Sequence, residues 1–206
     1  VISIPVDNIY TIIEKYVPNC VDDIVGTERR NRFYIRNWAN GYQKGKIPDK
    51  KALLLTGPAG VGKSVCARAV CSEFGFTLVE INASKDRTEE VIKEQIDKTI
   101  RTVGIESNPL ILIDEVDNIV SREGSTVRKY LREIVRNCEI PVIFTANDDY
   151  KARKYLESLM DYTAHIKFEV PNQTDMRKIA EKISRGENLN LDGLDIIRMS
   201  KKAKGD

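Results

Sequence analysis

A single histidine, His165, and four cysteines with no CxxC pair among them are poor material for a metal centre or a disulfide framework. Cys20, Cys66, Cys71 and Cys138 are therefore expected as reduced thiols in a cytosolic interior. No apolar run approaches the ~20 residues that span a bilayer. No charged-then-apolar leader is visible after Val1, so the expectation is a soluble chain with no membrane partner, cytoplasmic or, in a eukaryote, nuclear. Excess charge is missing too: 33 Lys and Arg against 31 Asp and Glu leave a formal +2. Any attraction to nucleic acid must then be local. There are no internal repeats and no low-complexity tracts.

What is present is enough apolar chain, 41% of 206 residues, to bury a substantial core in one main domain with a small appendage. Strand-like runs occur at residues 52–56, 77–81, 110–113, 141–145 and 165–170, with helical patterns between most of them. Strands alternating with helices predict a parallel sheet covered on both faces. The first intervening helix runs up to Gly75 with Val65, Ala69 and Val70 inward. The second spans 87–103, and the third, 125–137, carries Val127, Leu131, Ile134 and Val135 at helical spacing. Two more helices, 8–16 and 28–42, precede the sheet, with Trp38 expected to anchor the second to the core. After Pro171 the strands stop, and two amphipathic helices follow, the first with Thr174 as candidate N-cap and Gly186 as candidate stop. This places a boundary between a core, 1–171, and a helical appendage, 172–206.

The stretch LLLTGPAGVGKSV, residues 53–65, has the P-loop spacing of Gly57, four residues, Gly62, Lys63, Ser64, and it falls between a predicted strand and a predicted helix. Such a loop turns successive backbone N–H groups into one concavity, at which the following helix aims the positive end of its dipole. Gly57, Pro58, Ala59, Gly60, Val61, Gly62, Lys63, Ser64 and Val65 are therefore candidate phosphate-binding residues. Lys63 would reach the β- and γ-phosphates and the Ser64 hydroxyl would hold Mg²⁺.

In LILIDEVD, residues 110–117, four apolar residues are followed by acids at the strand end, where ligands sit in open α/β sheets. Beside a P-loop, this assigns Asp114 to the magnesium shell and Glu115 to the role of general base towards water. Asp117 is expected as a cap or surface acid. A further strand, in PVIFTAND, ends in Asn147, either a residue closing a turn or an amide that fixes the attacking water. His165 alternates with Ile166 and is expected to be packed.

These elements, in this order, resemble the AAA+ ATPases, and the flanking IIEKYVPNCVDDIVG, LVEINASKDR and FTAND narrow the resemblance to clamp loaders of the replication factor C type, on the large-subunit side. The resemblance implies a P-loop α/β core with a five-stranded parallel sheet sandwiched by helices, followed by a partial all-helical lid. It implies ATP and ADP with Mg²⁺, an adenine pocket from Tyr16, Val17, Pro18, Ile24 and Val25, and Asn147 as a sensor of the γ-phosphate. Its partners would be other loader subunits, a sliding clamp and primer–template DNA.

Three departures stand out. Val17 and Ile12 replace the family's arginine and tryptophan. Asp161, Tyr162 and Thr163 replace a Ser-Arg-Cys triplet, so the chain would receive an arginine finger in trans without donating this one; Arg153 is a candidate substitute but reads first as a surface arginine. The sensing arginine of the lid and the oligomerising collar would lie beyond Asp206, as expected of a truncated loader or of a naturally short relative with a compromised switch. DNA contacts would fall near Lys85, Arg87 and Thr88, at Ser121 and Arg122, and on the helix bearing Arg128, Lys129, Arg132 and Arg136. That basic face, broken by Glu133, reads first as solvated surface. Two rivals stay open: another replication or recombination AAA+ protein (an initiator or branch-migration motor), and a scaffold that binds ATP without hydrolysing it.

Overall fold

The computed structural model describes residues 15–82, 93–94, 96–98, 108–120, 125–137, 139–147, 150, 153–154, 157–189 and 191–202. Most of the helices predicted over 8–16 and 87–103 lies outside these residues, as do Ile12, Lys85, Arg87, Thr88, Ser121, Arg122 and Cys138. Helix α1 (Arg29–Gln43) leads into strand β1 (Ala52–Thr56), α2 (Lys63–Phe74), β2 (Thr77–Asn82), β3 (Pro109–Asp114), the short α3 (Val116–Val120), α4 (Ser125–Asn137), β4 (Val142–Ala146) and β5 (Thr163–Lys167). Helices α5 (Gln173–Gly186) and α6 (Gly193–Lys202) follow.

The five strands form one sheet in the order β2-β3-β4-β1-β5, every pair parallel. Strands β1 and β4 are buried at every position, which is why they read as unbroken apolar runs: a parallel sheet is covered on both faces. Alternate side chains divide into two cores. Leu53, Leu55, Leu110, Leu112 and Ile143 face α1 and α2, meeting Ile35, Trp38, Cys66 and Val70. Leu54, Ile111, Ile113 and Phe144 face the opposite way and meet Leu131 and Val135 of α4. Trp38 anchors α1 as expected, buried edge-on to Tyr42 with its indole N–H donating to Lys50 O at 2.8 Å.

The last strand and the cap of the helix after it differ most from expectation. The last strand begins at Thr163, not His165, because Thr163 is buried and its hydroxyl donates to Leu159 O at 2.9 Å. It ends at Lys167, after which the chain turns over the glycine-rich loop: Phe168 N donates to Thr56 O and Glu169 N to Gly26 O, both at 2.7 Å. The N-cap of α5 is Asn172, whose side-chain oxygen accepts from the N–H groups of Thr174 and Asp175, the bonding that makes asparagine a strong cap. Thr174 is a recipient of the cap and not its source. His165 is packed as expected: half-buried, it shares a 2.7 Å hydrogen bond with the Thr56 hydroxyl.

Candidate functional site

Strands β1, β4 and β3 are neighbours, so their carboxyl ends bring the glycine-rich loop, Asn147 and the Asp114–Glu115 pair side by side. Gly57 passes against the backbone of Phe168, where a Cβ would run into the carbonyl oxygen. Gly62, at φ +95°, makes the left-handed turn that starts α2, a conformation that costs glycine little. The ammonium of Lys63, only 6% exposed, donates to Gly57 O (2.8 Å), Pro58 O (2.7 Å) and Asn147 Oδ1 (2.9 Å). Burial draws its pKa below the ordinary lysine value, and the carboxylates of Asp114, Asp117 and Glu115 oppose that shift.

The acidic side is equally connected. Ser64 Oγ donates to Asp114 Oδ1 at 2.8 Å, and the hydroxyl of Thr145, a fully buried β4 residue, donates to the same oxygen. Thr145 in turn accepts the backbone N–H of Glu115 at 3.0 Å. Glu115 has φ +55°, uncommon for a residue with a side chain and a form of local strain concentrated at functional sites. Its carboxylate accepts from Asn118 Nδ2 at 2.9 Å and from Asn147 Nδ2 at 3.5 Å. Asp117 is no detached surface acid: its Oδ2 accepts the backbone N–H of Asn147 at 3.2 Å. Around these groups lies a cavity of about 210 Å³ lined by Ala59, Gly60, Gly62, Lys63, Ser64, Val65, Asp114, Glu115, Thr145 and Asn147.

A second cavity, about 270 Å³ and mainly apolar, adjoins the first and shares Gly60, Gly62 and Val65 with it. Tyr16, Pro18 and Val25 line one side; Met176, Ile179 and Ile183 of α5 line the other. Ile24 turns away into the core and Val17 is half-buried outside the lining. Across the cavity mouth, Tyr16 Oη donates to Glu187 Oε1 at 2.9 Å, Lys15 pairs with the same oxygen at 2.7 Å, and Lys182 pairs with Asp23 at 2.9 Å.

This arrangement fits a polyphosphate joined to a flat apolar group: amides, glycines and an ammonium at one end, aliphatic and aromatic side chains at the other. Ser64 Oγ and Asp114 offer the oxygen donors that a hard divalent cation takes. Among the described residues no group of three or more His, Cys, Asp or Glu could hold a metal. Sequence reasoning missed Thr145, which looks like any β-branched strand residue, and the α5 lining. The 3-4 spacing of Met176, Ile179 and Ile183 reveals an apolar face without revealing what it meets.

The other assigned residues lie elsewhere. Lys129, Arg132 and Arg136 are exposed on α4, which also contains Arg128. Asp161 and Tyr162 form the turn before β5, and Arg153 is exposed. Cys66 and Cys71 are buried thiols whose pKa values burial pushes up to about 12 and about 11, so they stay neutral. No helix among the described residues is long and apolar enough to cross a membrane.

Residues 53–170 match the ATPase family associated with various cellular activities (AAA). The replication factor C large subunit of Thermofilum pendens is 34% identical over 195 residues, covering 94% of this chain and 46% of the relative. That of Methanosphaera stadtmanae is 32% identical over 196 residues, covering 94% and 36%. The chain thus spans under half the length of these relatives. Among solved structures, a RuvB variant from Thermotoga maritima matches with a TM-score of 0.67 at 14% identity, over 91% of this chain and 60% of the other, a likeness of fold alone. With the glycine-rich loop, the strand-end acids and Asn147 gathered inside the matched segment, the chain belongs to the AAA family of ATPases and, within it, resembles the large subunits of replication factor C.

Proposed function

We propose that this chain is the ATP-binding and ATP-hydrolysing module of a DNA sliding-clamp loader, of the large-subunit kind. The observation that carries the reading is the convergence of Lys63, Ser64, Asp114, Glu115 and Asn147 around one cavity that opens into an apolar one. The phosphates would lie on the amides of residues 57–65 with Lys63 at their outer end. Adenine would lie between Tyr16, Pro18 and Val25 and the apolar face of α5, with Ile24 and Val17 supporting that wall from behind. Ser64 and Asp114 would hold Mg²⁺, which when bound neutralises charge developing on the transferred phosphoryl group. Glu115 would accept the proton of the attacking water, and Asn147, whose amide already touches both Lys63 and Glu115, would keep that water in line with the terminal phosphate.

The names of the relatives support the clamp-loader assignment. ATP binding would favour engagement of clamp and primer–template DNA, and hydrolysis would release them. A neighbouring subunit would supply an arginine to this site, so that the isolated chain is a weak ATPase in the cytoplasm or nucleus. Lys129 and Arg132, with Arg128 on the same helix, would make sequence-independent phosphate contacts; Arg87, assigned the same role, is outside the described residues. The domain division at residues 171 and 172 belongs to the same reading, the lid beginning with α5.

The test is ATP affinity and turnover of the wild type beside Lys63→Ala and Glu115→Gln. Glu115→Gln should keep ATP affinity and lower turnover by about 100-fold or more, the usual worth of a general base. Lys63→Ala should weaken ATP binding by roughly 100-fold, the equivalent of one or two charge-assisted hydrogen bonds. Tight ATP binding by Lys63→Ala overturns the site. A wild type that binds ATP but turns over no faster than Glu115→Gln is a nucleotide-dependent scaffold. Failure of the ring assembled with its partners to capture a sliding clamp assigns the ATPase to another task.

A further inference from the structure

We infer that Thr145 is a positioning residue of this site, a clip from β4 to β3 that fixes the Asp114 carboxylate for a divalent cation and holds the strained backbone of Glu115. This deepens the nucleotide reading above and rests on it for its consequences, though the clip itself is a property of the ligand-free chain.

The register pairs Ile113 with Phe144, so the next residues, Asp114 and Thr145, come side by side at the carboxyl ends of β3 and β4. Thr145 has no exposed surface in the ligand-free chain, although it borders the cavity. It uses its single proton on Asp114 Oδ1 and a lone pair on the Glu115 N–H, at 3.0 Å. Both bonds matter for a reason beyond packing. Asp114 Oδ1 also accepts from Ser64 Oγ at 2.8 Å, but Ser64 would turn its oxygen lone pairs to a cation, and that bond is then expendable. The bond from Thr145 is not, because that hydroxyl is held between Asp114 Oδ1 and the Glu115 N–H. The second bond satisfies a backbone amide where φ is +55°, a conformation that persists only when its surroundings enforce it. One hydroxyl thus orients the cation-binding oxygen and the proposed base together. Groups that orient a metal ligand in this way typically contribute about 10- to 100-fold to metal affinity or activity.

Thr145→Val keeps shape and removes the hydroxyl; Thr145→Ser keeps the hydroxyl and removes a methyl group. Three readouts on the 206-residue chain are decisive. In the nucleotide-free protein, amide hydrogen exchange at Glu115 should be faster in Thr145→Val and near wild type in Thr145→Ser. In ATP titrations, the Mg²⁺ concentration for half-maximal binding should rise roughly 10-fold in Thr145→Val, while affinity for ATP in EDTA changes little. At saturating Mg²⁺, turnover should fall roughly 10-fold in Thr145→Val and be rescued in Thr145→Ser. Wild-type exchange and Mg²⁺ response in Thr145→Val overturn the inference, as does equal damage in both variants, which marks a packing role. A wild type that binds no ATP overturns the nucleotide reading instead. In that event slowed Glu115 exchange, reversed by Thr145→Val, still upholds the clip, and wild-type exchange in the variant removes it.

Discussion

The cavity at the carboxyl ends of β1, β3 and β4 is closed by a polar network in which each functional side chain touches the next: Lys63 to Asn147, Asn147 to Glu115, Ser64 and Thr145 to Asp114. The adjoining cavity is closed by apolar side chains and by a few contacts at its mouth, where Tyr16 meets Glu187 across 171 positions of sequence. The first set is tied to the buried sheet; the second joins a segment before α1 to a helix after β5. The difference teaches where the molecule is preorganised and where it can adjust. Charge on a phosphate tail needs donors fixed in advance, because reorienting dipoles during reaction costs energy. An apolar ring is recognised by area, which tolerates movement of one wall.

The comparison breaks most severely at Gly57. A Cβ there meets the Phe168 carbonyl, and φ is +149°, so Gly57→Ala must move either the loop or the chain beyond β5. The expected loss is about 3 kcal/mol of stability, measured by denaturant unfolding, together with loss of ATP binding. A wild-type midpoint in Gly57→Ala would mean that the loop yields easily and that the polar cavity is not preorganised.

The two ends separate more finely at Ile183, which lines the apolar cavity alone. Ile183→Asn should weaken ATP binding by about 5-fold, corresponding to roughly 1 kcal/mol of lost apolar burial, and leave the affinity for inorganic tripolyphosphate unchanged. Titrating both ligands by calorimetry makes the distinction. Equal losses for the two would show that α5 acts on the phosphate end as well, and a loss for neither would remove adenine from this cavity.

The polar end was legible in the sequence and the apolar end only in part, for the same physical reason. Phosphate binding is local: Gly57, Gly62, Lys63 and Ser64 must stand at fixed spacing because one loop and one helix start carry them. The strands β1, β3 and β4 read clearly because burial on both faces leaves apolar runs with acids and amides at their ends. Cross-strand partners are not local, and nothing in the spelling of FTAND sets Thr145 apart from a strand threonine. Asp117 stands in the first turn of α3, where a cap is expected, and its bond from the Asn147 N–H is a cross-strand contact that the local pattern does not announce. The sequence places the cap of α5 two residues late, since Asn172, Thr174 and Asp175 are all capping types and only the backbone decides between them. Lys15, Tyr16 and Glu187 make contacts that no pattern within either segment announces.

The smallest effect is expected at the mouth of the apolar cavity, and it depends on pH. Glu187 is held below the ordinary carboxylate value, first by the hydrogen bond from Lys15 and then by that from Tyr16. Lys15 is held above the ordinary lysine value, chiefly by its bond to Glu187. A carboxylate with a depressed folded-state pKa lends stability above its unfolded value and loses it as pH falls through the folded one. A lysine with a raised pKa lends stability below its unfolded value and loses it as pH rises through the folded one. The tie should therefore be intact at neutral pH, loosening at pH values below the ordinary carboxylate range and again above the ordinary lysine range. Water and salt screen this tie at the surface, so global stability should hardly register the change. The Tyr16 ring resonances should: in the nucleotide-free chain they should titrate on the acid limb in the wild type, and that step should vanish in Glu187→Gln and weaken at high salt. A Tyr16 signal that titrates identically in both proteins would assign the step to another carboxylate, and the apolar wall would then stand on packing alone.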